Sequence, residues 1–129
     1  MPPLSSKMFF WLGWVFSILG VIPFFPSFYM KMTSDQKIID GWLHIGWQAV
    51  PLTSVGMVEI FCVLVYLIPR TTVLGAILLT GYIGGVIATH VRVGDQNNVI
   101  LAIILGVLIW AGLFLRDARV RALIPFRAK

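Results

Sequence analysis

The chain has 129 residues, 59% of them hydrophobic and 12% charged, with a formal net charge of +5 and a mean hydropathy of +0.94. A water-soluble domain this small exposes much of its surface, so such a composition excludes a soluble fold and requires lipid as the solvent. The ten basic residues gather at the ends of apolar runs rather than interleaving with polar surface, which argues against nucleic acid as a partner.

Four apolar runs follow one another: Met8–Phe25, Pro51–Ile68, Val73–Val91 and Val99–Leu115. A helix of roughly 20 residues, at about 1.5 Å per residue, crosses a hydrocarbon core of about 30 Å. The runs are apolar on all sides, whereas barrel strands alternate, so helices are expected. The expected fold is all-α: one integral membrane four-helix bundle over residues 1–129, with spans at about 8–28, 49–68, 72–91 and 98–115. Four spans put both termini on one side. That side carries Lys7, Arg70, Arg116, Arg119, Arg121, Arg127 and Lys129, against Lys31, Lys37 and Arg92 opposite, which predicts cytoplasmic termini and contact of the basic tail with membrane lipids.

In the first run Lys7 precedes MFFWLGWVFSILGV, which has the outline of a secretory signal. The run is longer than a signal core of about 7–15 residues and lacks a small-x-small cleavage site, so it is read as span one. Pro23 and Pro26 kink or end that helix, and Phe24, Phe25, Phe28 and Tyr29 follow as interfacial aromatics. Between spans one and two, Thr33 and Gln36 have capping-box spacing, and Ile38, Trp42 and Ile45 fall on one helical face. A short interfacial helix anchored by Trp42 and Trp47 is expected there.

Glu59 in span two is the sharpest polar exception. It lies about 12 Å along the helix from Pro51, and an ionisable group at that depth costs several kcal/mol unless paired, solvated or neutral. It reads either as a proton-handling or ligand-binding group facing the bundle interior, or as a neutral acid bonded to a neighbour. Gln48, Leu52, Gly56, Glu59, Val63 and Tyr66 share its face at steps of three or four. Cys62, the single cysteine, reads as a packing residue and excludes an internal dithiol.

Pro69–Thr72 forms a tight hairpin, making spans two and three antiparallel neighbours. Span three presents Tyr82, Gly85, Thr89 and Arg92 on one stripe, and antiparallel register sets Tyr82 beside Glu59 and Gln48 near Arg92. Tyr82 is therefore the expected partner of Glu59, ahead of Arg92. Gly81-x-x-x-Gly85 reads as a close helix contact rather than as clearance for a ligand. His90 and His44 fall at comparable depth, but neither sits in a haem or zinc motif, so axial ligation is disfavoured. Arg92 and Asp95 belong to the turn before span four, with Arg92 also a candidate anchor for an anionic or carbonyl-bearing ligand. Span four, with Gly106, Gly112 and Trp110, carries nothing that suggests chemistry.

The stretches VEIFCVLVYLIPRTTVLGAILLTGYIGGVIATHVRVGD and LGVLIWAGLFLRDARVRALIP resemble the DoxX-like family of small bacterial inner-membrane proteins. The recurring positions are Glu59, Pro69–Thr71, Leu78–Tyr82 and Ala88–Asp95. The resemblance implies a four-helix membrane fold and an association with membrane redox complexes, the family name deriving from a subunit of thiosulfate:quinone oxidoreduction. The expected function is binding of a small lipophilic molecule such as a quinone within such a complex, with Glu59, Tyr82, Thr89, His90, Arg92 and Gln48 as the ligand-binding residues. The alternative is a non-catalytic structural or assembly subunit. Association of copies through the glycine face is expected in either case, and four spans with no inverted repeat make a transporter the poorer reading.

Overall fold

A computed structural model describes residues 6–33, 36–46 and 52–127; Trp47, Gln48 and Pro51 lie outside them. The described chain is helical: α1 Ser6–Val21, α2 Phe24–Thr33, α3 Gln36–His44, α4 Leu52–Leu67, α5 Thr72–Arg92, α6 Gln96–Arg116 and the short α7 Ala118–Arg121. A single 3₁₀ turn at Pro69–Thr71 joins α4 to α5, as the hairpin spacing predicts. Three stretches are long and apolar enough to cross a membrane: Lys7–Thr33, Pro69–Arg92 and Gln96–Arg116. Leu52–Leu67 is a shorter apolar helix of 16 residues. The side chains turned outward, among them Trp11, Phe61, Ile77 and Val107, are large and apolar. Such a surface is stable only against lipid, which makes this a helical membrane protein.

Proline decides the path of the first helix. Pro23 has no N–H to give, and the chain turns at Ile22–Pro23 before helix resumes at Phe24. The residues beyond the turn, Phe24 to Tyr29, extend the helix instead of forming an interfacial run, and Phe24 is buried. The turn also changes the packing partner: α1 lies on α6, whereas α2 lies on α4. In the α1 half, small residues bring the backbones together. A Cβ at Gly13 would sit 2.7 Å from the Gly112 carbonyl oxygen, and one at Gly112 would overlap Ser17 Oγ and lie 2.6 Å from the Ser17 nitrogen. In the α2 half the first helix has moved to α4, leaving space between α2, α5 and α6.

Glycine in α5 acts differently from expectation. The close approach to α4 is made at Gly75, where a Cβ would overlap the Tyr66 backbone. At Gly81, Gly84 and Gly85 a Cβ would meet nothing within 4 Å. The Gly81-x-x-x-Gly85 spacing therefore makes no helix contact among the described residues, and Gly81 and Gly85 line open space. The capping-box reading of Thr33 is also corrected. Thr33 closes α2, where its hydroxyl donates to the Met30 carbonyl at 3.1 Å, and the Gln36 amide donates to Asp40 at 2.9 Å.

A polar knot lies in the α1–α6 half. The fully buried Tyr66 hydroxyl donates to the Ile109 carbonyl at 2.6 Å and is hydrogen-bonded to the Ser17 hydroxyl at 2.8 Å. Arg116 donates to Ser17 Oγ at 3.1 Å and stacks its guanidinium 4.1 Å from the Trp14 ring centre. Arg116, expected only as a basic residue at the cytoplasmic edge, thus also holds α1 to the end of α6.

Candidate ligand-binding cavity

The space opened by the departure of α2 from α6 is a cavity of about 830 Å³, within the roughly 300–1,000 Å³ range of small-molecule sites. Its walls are Pro23 in the turn, α2 at Phe24, Ser27 and Lys31, α4 from Leu52 to Glu59, α5 from Gly81 to His90, and α6 from Asn98 to Leu105. The amphipathic α3 contributes Ile38 and Trp42 to the lining, together with Lys37 and His44, and Ile45 just beyond it continues the face that the sequence spacing predicts.

Its polar centre is Glu59, only 2% exposed. Three donors converge on one carboxylate oxygen: Oε2 accepts from the Tyr82 hydroxyl at 2.7 Å, from Ser27 Oγ at 3.1 Å and from Lys31 Nζ at 3.2 Å. Lys31 in turn donates to Ser27 Oγ at 2.5 Å. The other oxygen, Oε1, is buried and has no hydrogen-bond partner among the described residues. The geometry follows from local sequence. Ser27 and Lys31 are four residues apart, so they share one face of α2, and Gly56 one turn before Glu59 lets that face approach. A Cβ at Gly56 would lie 3.1 Å from Lys31 Cβ. The ring of Tyr82 is held edge-on to Phe24, with centroids 6.1 Å apart.

The Tyr82 bond to Glu59 is the one that antiparallel register predicts. The cation beside it is Lys31, not Arg92, which the register made only a second choice for Glu59. Lys31 forms the ion pair, while the exposed Arg92 donates to the Ile45 carbonyl at the end of α3 and lies outside the cavity lining. Sequence reasoning missed Lys31 and Ser27 because it closed span one near residue 28 and counted Lys31 as a loop charge. The available signal was the Ser27/Lys31 spacing beyond Pro26, which continues the helix. Thr89 lines the cavity, but its hydroxyl donates to the Gly85 carbonyl at 2.8 Å. His90 and His44 both line it, and His90 Nδ1 lies 2.8 Å from the Val86 carbonyl. Gln48 lies outside the described residues. Among the described residues no group of three or more His, Cys, Asp or Glu is placed to hold a metal ion.

At the mouth, Asp95 caps α6, accepting from the Asn98 backbone at 3.4 Å and the Asn98 side-chain amide at 2.5 Å. The Asn98 side-chain bond holds the Asp95 carboxyl below the usual carboxylate range.

Fold and site together define a helical membrane protein with an apolar chamber built around one buried ion pair. The model of the DoxX-like family matches residues 15–112, and the chain belongs to that family. Comparison with curated proteins and with solved structures gives no match.

Proposed function

We propose that the protein binds a small lipophilic molecule, a quinone being the leading class, in the cavity beside Glu59, as part of a membrane redox complex. One observation carries this reading: a chamber of about 830 Å³, walled mostly by apolar side chains, meets a buried carboxylate with an oxygen unpartnered among the described residues. An apolar volume with a few convergent polar groups is the usual form of a small-molecule site. Glu59 and Tyr82 supply the polar centre, and His90 and His44 the polar part of the mouth. When bound, a quinone would supply two-electron chemistry, while the chain's own part is to hold the ring and present proton-bearing groups.

The proposed setting is a bacterial inner membrane, with four spans and both termini cytoplasmic. The 16 residues of α4 rise about 24 Å, close to a hydrocarbon thickness of about 30 Å, and α4 returns along a helix long enough to cross.

The test is native mass spectrometry with an absorption spectrum on gently extracted protein. A retained quinone is the expected result. Phospholipid alone, together with a melting temperature that no added quinone raises, would replace this reading with a structural or assembly subunit. That second reading draws on the same ion pair, because Lys31 and Glu59 tie α2 to α4.

A further inference from the structure

The helices α4 and α5 each bury one face, marked by Glu59, Val63 and Tyr66 on α4 and by Leu79 and Ile83 on α5. Successive residues of a helix turn by about 100°, so Val58 stands about 100° from Glu59 and Ser54 about 140° from it. Gly81 stands about 160° from both Leu79 and Ile83, and Gly85 about 160° from Ile83. These four residues lie on the flanks turned away from the core, and all four are exposed. All four nevertheless line the cavity. The contacts of Gly75 with Tyr66 and of Tyr82 with Glu59 set one antiparallel register, which puts Gly81 and Gly85 level with the stretch of α4 that holds Val58. The cavity therefore runs out of the bundle through the seam between α4 and α5.

That opening faces acyl chains rather than water. Val58 is six residues beyond Leu52, about 9 Å along α4, and Gly81 is eleven residues before Arg92, about 16 Å along α5, so both lie inside a hydrocarbon core of about 30 Å. The seam is walled by Val58 and by glycines that carry no side chain, whereas the polar groups, Glu59, Tyr82 and Lys31, lie deeper in the bundle. A volume of about 830 Å³ holds a body of drug size, and a long chain attached to that body has to leave through a wall. A wall open to lipid lets the chain stay in the solvent it prefers. We infer, resting on the cavity proposed above as the ligand site, that the ligand is a lipid with a compact polar head and a long hydrocarbon or isoprenoid chain, taken sideways from the leaflet on the α3 side. Its head sits in the cavity and its chain passes between Val58 and Gly81 into the bilayer.

Two quinones that share one ring test this on the full chain in nanodiscs: one without a side chain, and one with a long alkyl chain that carries a photoreactive diazirine near its middle. On irradiation the chain-bearing probe should label α4 and α5 along the seam, mapped by peptide mass spectrometry, and the same quinone without the diazirine should compete the label away. This is read on the unsubstituted protein and decides the route even if a variant does not fold. Val58→Trp and Gly81→Leu fill the seam from either side, Val58 being 53% exposed and a Cβ at Gly81 meeting nothing within 4 Å. Each should weaken the chain-bearing probe about tenfold or more, the effect of forcing a chain past added volume, and the chainless ring less than about twofold. Leu64→Trp, on the lipid face of α4 nearer the hairpin, should change neither. Full binding of the chain-bearing probe in both seam variants, or label confined to α6 around Leu101, would overturn this route and leave the ligand site standing. Equal loss of both probes in both seam variants would show that the ring itself occupies the seam and would overturn the placement of head and chain. Binding of neither quinone by the unsubstituted protein would overturn the ligand site, and the route with it.

Discussion

Replacing Lys31 with Met removes the cation from the buried Glu59 carboxylate while shortening the unbranched side chain by one atom. At the observed 3.2 Å, an effective dielectric of about 20 gives an attraction of about 5 kcal/mol, part of which offsets the desolvation of the two groups. The Glu59 side chain is 2% exposed and that of Lys31 14%, so solvent screening reduces this little. Breaking such a pair from one side leaves an uncompensated charge and costs about 3–5 kcal/mol. Glu59→Gln should cost less, about 1–3 kcal/mol, because Lys31 sits near the end of α2 and its amine can swing toward the interface. The double variant, with no charge left to strand, should be more stable than Lys31→Met alone. Equilibrium unfolding of the four proteins in one mixed-micelle system measures the cycle. Additivity within about 0.5 kcal/mol would show that the two residues are not energetically paired and would refute the account of the site's polar centre.

Glycines separate packing from cavity: Gly112→Val drives atoms into the Ser17 backbone and should destabilise by about 3 kcal/mol or more, whereas Gly81→Ala should leave the melting temperature unchanged or raise it. A comparable loss at both sites would contradict the placement of α1 against α6. Arg92→Ala should release the Ile45 carbonyl and speed amide hydrogen exchange across Gln36–His44, read by mass spectrometry, with α6 unaffected. Unaltered exchange in α3 would show that this bond does not restrain it. Because the Asp95 carboxyl is held below its ordinary value, its cap contributes above an unfolded-state pKa of about 3.9 and is lost as pH falls through the lower folded value. Asp95→Asn should therefore flatten the dependence of melting temperature on pH below about pH 4, and an unchanged slope there would count against the cap.

Much of the fold is legible in the sequence because lipid imposes one strong rule: backbone polar groups must bond within their own segment, so long apolar runs become helices. The hairpin at Pro69–Thr71, the interfacial helix and the pairing of Tyr82 with Glu59 follow from local signals, namely a proline stop, a 3.6-residue period and antiparallel register. What failed locally was the reading of Thr33 and of the α5 glycines. Thr33 has the right neighbours for a cap but is claimed by the helix before it, and glycine spacing says that an approach is allowed, not that a partner takes it.

The sequence by itself determined a helical membrane protein, its family, and the presence of one carboxylate too deep to be ornamental, because hydropathy and residue order are local quantities. Only the tertiary structure decided which cation meets that carboxylate and where the empty volume lies. Pro23 turns the first helix from α6 to α4, a rigid-body change that no spacing along one helix encodes, and it brings Lys31 to Glu59 while opening the cavity behind it.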